Sequence, residues 1–200
     1  MLASRIEELN REIDRLKVLE EKISTYVDSY GDIEEITDIK KGELFFYLIS
    51  SYSAQKKAPL AQTFISNIFE GKEIPPSENR GDFVYNDSYV ELKCSFRNQA
   101  QMLNLRQIRP WQPVDYYFCF YIDDKEIENS QFYVLTKEEM LKEVELCGSA
   151  THGTSKANEN NENIEYSITI PQKVTTKSEK AERWKKYLRE DIKRKVLYGD

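Results

Sequence analysis

Two acids and a lysine stand close together in one stretch of the chain: Asp82, preceded by Gly81, and then Glu91 and Lys93. Paired carboxylates are what a hard cation needs, because Mg²⁺ takes carboxylate and carbonyl oxygens and keeps several of its waters. A bound cation polarises a phosphate and lowers the pKa of a water, which is the difficult part of phosphodiester hydrolysis. An amine beside it orients the attacking water and stabilises charge building on the phosphate. The catalytic candidates are therefore Asp82, Glu91 and Lys93. Asp82, Glu91 and the Leu92 backbone carbonyl are the candidate ligands for Mg²⁺.

Acid-x-Lys triplets are common, and the chain has five others, at Glu20/Lys22, Asp38/Lys40, Glu70/Lys72, Asp123/Lys125 and Asp191/Lys193. Three features set Glu91/Lys93 apart. The triplet lies in an alternating segment, so Glu91 and Lys93 share one face of a strand while Val90, Leu92 and Cys94 point to the core. A lone aspartate stands one short strand upstream, and a turn at Asn86, Asp87 and Ser88 would fold Asp82 back toward Glu91. An apolar back face holds such groups rigidly, as chemistry requires. The plain alternative is a solvated strand face with an ordinary ion pair, worth under about 1 kcal/mol.

The elements that must position these residues are readable from periodicity. Residues 42–53 read as a mostly buried helix through Phe45, Phe46, Leu48 and Ile49. Pro59 opens a second helix carrying Leu60, Phe64, Ile65, Ile68 and Phe69, and Gly71 ends it. After a Pro75-Pro76 loop the period changes to two, with strands over 81–85 and 89–96. Residues 115–122 form an almost continuous apolar strand, expected at the centre and covered on both faces. A strand over 131–135 leads into a helix opened by a Thr136/Glu139 capping box and running to about Leu146. Residues 148–163 read as a long polar loop and 164–170 as a strand. A last helix, capped at Thr176 or Ser178, carries Ala181, Trp184, Leu188 and Ile192 as one stripe. The order predicts an α/β layered core.

Before this core, residues 1–24 place Leu2, Ile6, Leu9, Ile13 and Leu16 in steps of four and three, with Leu19 near the seam and Ile23 a full heptad after Leu16, about three heptads. Such a run is either a dimerising coiled coil or an amphipathic helix lying on its own domain. The division expected is an N-terminal helical arm over 1–40 and a second unit over 41–200.

From Leu92 to Val114 the only charged residues are Lys93, Arg97, Arg106 and Arg109. Arginine pairs with guanine edges and Asn or Gln with adenine edges, and all of them hold phosphates. The candidate DNA contacts are thus Arg97, Asn98, Gln99, Gln101, Asn104, Arg106, Gln107, Arg109 and Gln112, the alternative being a solvated helix and loop. The loop residues His152, Thr154, Ser155 and Lys156 join them, on a segment that either has no fixed structure or orders on DNA.

Composition excludes other chemistry. A single histidine, three scattered cysteines and no CxxC pair leave little room for a zinc finger or a Ser-His-Asp triad. No organic cofactor is implied. The net charge of −6 argues weakly against nucleic acid, but the distribution of charge matters more than its sum. No apolar run approaches the roughly 20 residues of a membrane span, and Met1 leads straight into a charged stretch. A cytoplasmic location without membrane contact is expected.

Asp82 followed by Glu91-Leu92-Lys93, on a hairpin preceded by a helix, resembles the PD-(D/E)XK nuclease superfamily and type II restriction endonucleases within it. Gly81 stands where the motif has proline. The resemblance implies a restriction-endonuclease-like core with a mixed central sheet flanked by helices, and Mg²⁺-dependent hydrolysis of double-stranded DNA at a short sequence, often by a homodimer. Two alternatives stay open: a nuclease of the same superfamily in repair, recombination or modified-DNA restriction, and a non-catalytic coiled-coil interaction protein.

Overall fold

The computed structural model describes residues 41–50, 52–75, 77–152, 164–172 and 178–199, with isolated helical positions at Ile6, Glu7, Asn10, Ile13, Asp14 and Lys17. The N-terminal arm otherwise lies outside the described residues. Two of its heptad positions, Ile6 and Ile13, are exposed.

Helices α1 (Lys41–Ile49) and α2 (Ala54–Ile68) open the described core. The second begins at Ala54 rather than at Pro59, because the Ser53 carbonyl already accepts from the N–H groups of Lys56 and Lys57 at 2.9 Å. Pro59 sits inside the helix and removes one ladder hydrogen bond. Burial of Ala61 and Ile65, with Phe69 at the helix end, outweighs that loss.

Six strands follow: β1 (Lys72–Glu73), β2 (Phe83–Tyr85), β3 (Ser88–Phe96), β4 (Met102–Ile108), β5 (Tyr116–Ile122) and β6 (Gln131–Thr136). All but β4 form one sheet in the order β1-β2-β3-β5-β6. The β3–β5 pairing is parallel and the others antiparallel, so the sheet is mixed. Strand β5 lies inside it, as its apolar run predicts. Phe118, Phe120 and Ile122 face a core built with α1 and α2, and Tyr117, Cys119 and Tyr121 face a second core.

The second core is closed by helix α3 (Lys137–Cys147) and by a small sheet. Thr136 and Glu139 form the expected capping box at the start of α3. The small sheet runs β4-β8-β7, with β7 over Ser149–His152 and β8 over Ile164–Pro171. Two expectations are corrected here. The polar stretch after Phe96 is a strand, with Leu103, Leu105 and Ile108 fully buried. Its alternation is masked by a bulge at Arg106 and Gln107, where the register slips by one residue between Leu105↔Ile168 and Ile108↔Tyr166. The start of the polar loop is the edge strand β7, held by pairing with β8 rather than by any apolar pattern of its own.

The last helix is two: α4 (Glu179–Trp184), capped by Ser178, and α5 (Glu190–Tyr198). Between them Leu188 bridges to Tyr133 and the Arg189 N–H donates to the Phe132 carbonyl at 2.9 Å. Edge strand β6 is covered this way. The single stripe read from the sequence therefore divides, with Trp184 in one core and Ile192 in the other. Glu143 of α3, fully enclosed, accepts from Arg183 Nε at 3.0 Å, Trp184 Nε1 at 2.9 Å and Tyr187 Oη at 3.2 Å, and so fixes α4 to α3. Among the described residues no helix is long and apolar enough to cross a membrane.

Candidate active site

The site is built on the β2–β3 hairpin. Asn86 and Asp87 form its turn, both with left-handed backbone (φ 48° and 59°), the geometry that suits the twist of paired strands. The register pairs Phe83 with Val90. Just before Phe83 the chain swings off β3 at Gly81, whose φ is 97°. A Cβ there would lie 2.7 Å from the Val90 carbonyl oxygen. Proline, fixed near φ −65°, does not fit this backbone, which accounts for the departure from the motif.

The swing leaves Asp82 against the β3 edge. Its N–H donates to the Val90 carbonyl at 2.8 Å, and its Oδ2 accepts from the Leu92 N–H at 2.7 Å. A carboxylate thus stands where a neighbouring strand would continue. N–H and C=O of one strand residue point to the same edge, so the Leu92 carbonyl faces the side that Asp82 occupies.

Alternation puts Val90, Leu92 and Cys94 against the helix-side core and Glu91 and Lys93 on the opposite face, beside Tyr117 and Cys119 of β5. Lys93 Nζ donates to Glu91 Oε1 at 2.6 Å, with side-chain exposures of 14% and 8%. That burial excludes the solvated ion pair. The second Glu91 oxygen, Oε2, accepts from Gln112 Nε2 at 2.8 Å.

Asp82 titrates abnormally. Burial, then the charge of nearby Glu91, push it up to about 6 from an ordinary value of 3.8, against the Leu92 hydrogen bond and the charges of Lys93 and Arg109. The charge of Glu91 thus disfavours the ionised form of Asp82, as a neighbouring carboxylate does. Burial and Glu91 likewise push the Tyr117 hydroxyl up.

The residues between β4 and β5 close the site. Arg109 Nε donates to Glu165 Oε1 on β8 at 2.8 Å, and its guanidinium lies 5.7 Å from the Trp111 ring centre. Gln112, expected to face DNA, is instead buried at 4% exposure against Glu91. Among the other expected contacts, Arg97 forms two hydrogen bonds with the enclosed Asp123, at 2.8 and 3.0 Å, and Asn98 holds Met102 through its N–H and carbonyl at 3.2 Å. Asn104 donates to the Met102 carbonyl and accepts from Thr169, both at 3.2 Å. These three brace the β3–β4 connection and the small sheet. Gln101 is partly covered there, with φ 50°. Gln99, Arg106 and Gln107 are exposed, the last two on the bulge. Thr154, Ser155 and Lys156 lie outside the described residues, as does the His152 side chain. Glu165 and Tyr117 reach the site without any motif to announce them; only their register in β8 and β5 brings them there.

A cavity of about 580 Å³, lined by Phe69, Tyr85, Tyr116, Phe118 and Lys195 among others, opens on the helix-side face instead. None of the three motif side chains lines it.

The residues present fit a hard divalent cation. Asp82, Glu91 and the Leu92 carbonyl would hold it. Among the described residues no three His, Cys, Asp or Glu side chains converge on one point, so neutral oxygens and water must complete the shell, as Mg²⁺ accepts. Compared with known protein-family models and with curated proteins, the chain matches none.

Proposed function

We propose that the protein is a type II restriction endonuclease of the PD-(D/E)XK kind, hydrolysing phosphodiester bonds of double-stranded DNA at a short sequence, with Mg²⁺ as cofactor and as a homodimer. The observation that carries the reading is the half-buried Asp82 carboxyl on the β3 edge, pushed up by burial and then by the charge of Glu91, which is itself paired with Lys93. The mixed sheet, with a helix ahead of the hairpin, supports a restriction-endonuclease-like core.

A cation held at this site would polarise the scissile phosphate and acidify a bound water. Lys93 then orients that water and stabilises the charge growing on the phosphate oxygens. Water oxygen bonds to phosphorus as one P–O ester bond breaks; the attacking water gives up a proton to solvent and the leaving alkoxide takes one from solvent. On this reading the exposed Arg106 and Gln107 of the β4 bulge and the partly covered Arg109 would meet backbone phosphates and base edges.

Digestion of a sequenced plasmid tests this. Discrete fragments with Mg²⁺ and none with a chelator are expected. A random smear, or a need for branched or methylated DNA, transfers the site to a repair-type or modified-DNA nuclease. Intact plasmid under every metal condition contradicts the nuclease reading.

A further inference from the structure

We propose that Gln112 is part of the cation site: its amide N–H fixes Glu91 and its carbonyl oxygen supplies a neutral ligand, to the cation or to a water bound on it. The inference rests on reading Asp82 and Glu91 as the cation site, and it adds a side chain from outside the hairpin.

The orientation of the amide follows from chemistry. A carboxylate only accepts, so the group facing Glu91 Oε2 at 2.8 Å must be the NH₂. Gln112 Oε1 is therefore turned away from Glu91, and it is buried without a hydrogen-bond partner. An unsatisfied buried acceptor forfeits its hydration without replacement, and native chains keep few of them without a reason. The backbone that aims it is held three ways. The Gln112 N–H donates to the Arg109 carbonyl at 3.1 Å, and the Gln112 carbonyl accepts from the Val114 N–H at 3.0 Å and from Lys137 Nζ at 2.6 Å. The buried oxygen thus stands on a fixed base.

A second orphan lies in the same neighbourhood. Tyr117, paired in register with Glu91, has a fully enclosed hydroxyl with no partner. One unpartnered donor and one unpartnered acceptor beside Glu91 are what a cation with its ordered water would satisfy together. Lysine or arginine at position 112 would neutralise Glu91, and leucine would leave it half-held. Glutamine alone among common residues of this size holds the carboxylate while offering an oxygen onward.

Calorimetric titration of the full chain with Ca²⁺ alone, without DNA, gives a readout independent of cleavage. Gln112→Met should weaken Ca²⁺ binding at least tenfold with little change in melting temperature, and Gln112→Glu should show a larger Ca²⁺-induced rise in melting temperature than the wild type. Gln112→Met within twofold of wild type overturns the proposal. If that variant fails to fold, a Gln112→Glu rise no larger than wild type overturns it instead. Asp82→Ala separates the two readings. Wild-type binding that is lost in Asp82→Ala but kept in Gln112→Met removes Gln112 alone, whereas no binding by the wild type removes the cation site and Gln112 with it.

Discussion

Asp82 concentrates the conflict between folding and chemistry. Its folded-state pKa, about 6, lies above its ordinary 3.8. Between those values the folded chain holds more protons than the unfolded one, so stability falls as pH rises through about 4 to 6 and the deficit persists above it. Asp82→Asn keeps an oxygen for the Leu92 N–H and removes the charge. A tenfold change in proton affinity is about 1.4 kcal/mol. Discounted for a carboxyl only partly shielded from water, the variant should be more stable than wild type by roughly 1–2 kcal/mol at pH 8. That gain should vanish near pH 4. Denaturant unfolding at the two pH values checks it, and equal stability at both would mean the carboxyl is not under stress. On the proposed reading the gain comes with loss of cation binding, the trade expected at a functional site. This much was legible in the sequence, since period-two alternation alone predicts that Glu91 and Lys93 share a face. Tyr117 and Glu165 were not legible as site residues, and Gln112 was legible only as a DNA contact, not as the partner of Glu91. They arrive through a turn and through strand register, which no local spacing encodes.

At the scale of elements, the hairpin turn sets how far Asp82 reaches along β3. Asn86 and Asp87 both sit at positive φ, where glycine is at ease and most side chains are not. Asp87→Gly should therefore stabilise the fold by about 0.5–1 kcal/mol without altering cation binding, measured by denaturant melts and titration. A destabilised variant would show that Asp87 makes a contact worth more than its backbone cost. The elements lost to sequence reading share one cause: a local signal overridden by a partner distant in sequence. The β4 pattern is broken by its bulge, and β7 has no apolar face yet pairs with β8. Pro59 announces a helix start, but the helix it belongs to begins earlier, where the Ser53 carbonyl accepts the first helical hydrogen bonds. Where local and tertiary preferences agree, as in β5 and in the Thr136 capping box, the reading and the structure coincide.

For the whole molecule, the mixed sheet carries its motif between two unlike cores. The α1–α2–α5 side makes a rigid apolar backing for β3, and on the other side β4, β8 and the Arg109–Gln112 turn leave Asp82, Lys93 and Arg109 only partly covered. A rigid back wall with a partial opening in front is the arrangement that the proposed access of a substrate phosphate requires. The decisive measurement is the Mg²⁺-dependent rate of plasmid cleavage by Lys93→Ala beside the wild type, with both proteins shown by circular dichroism to melt alike. A loss of at least a hundredfold in the variant, with DNA binding retained, is the predicted result. Equal rates in the two proteins would contradict the assignment of the chemistry to this site.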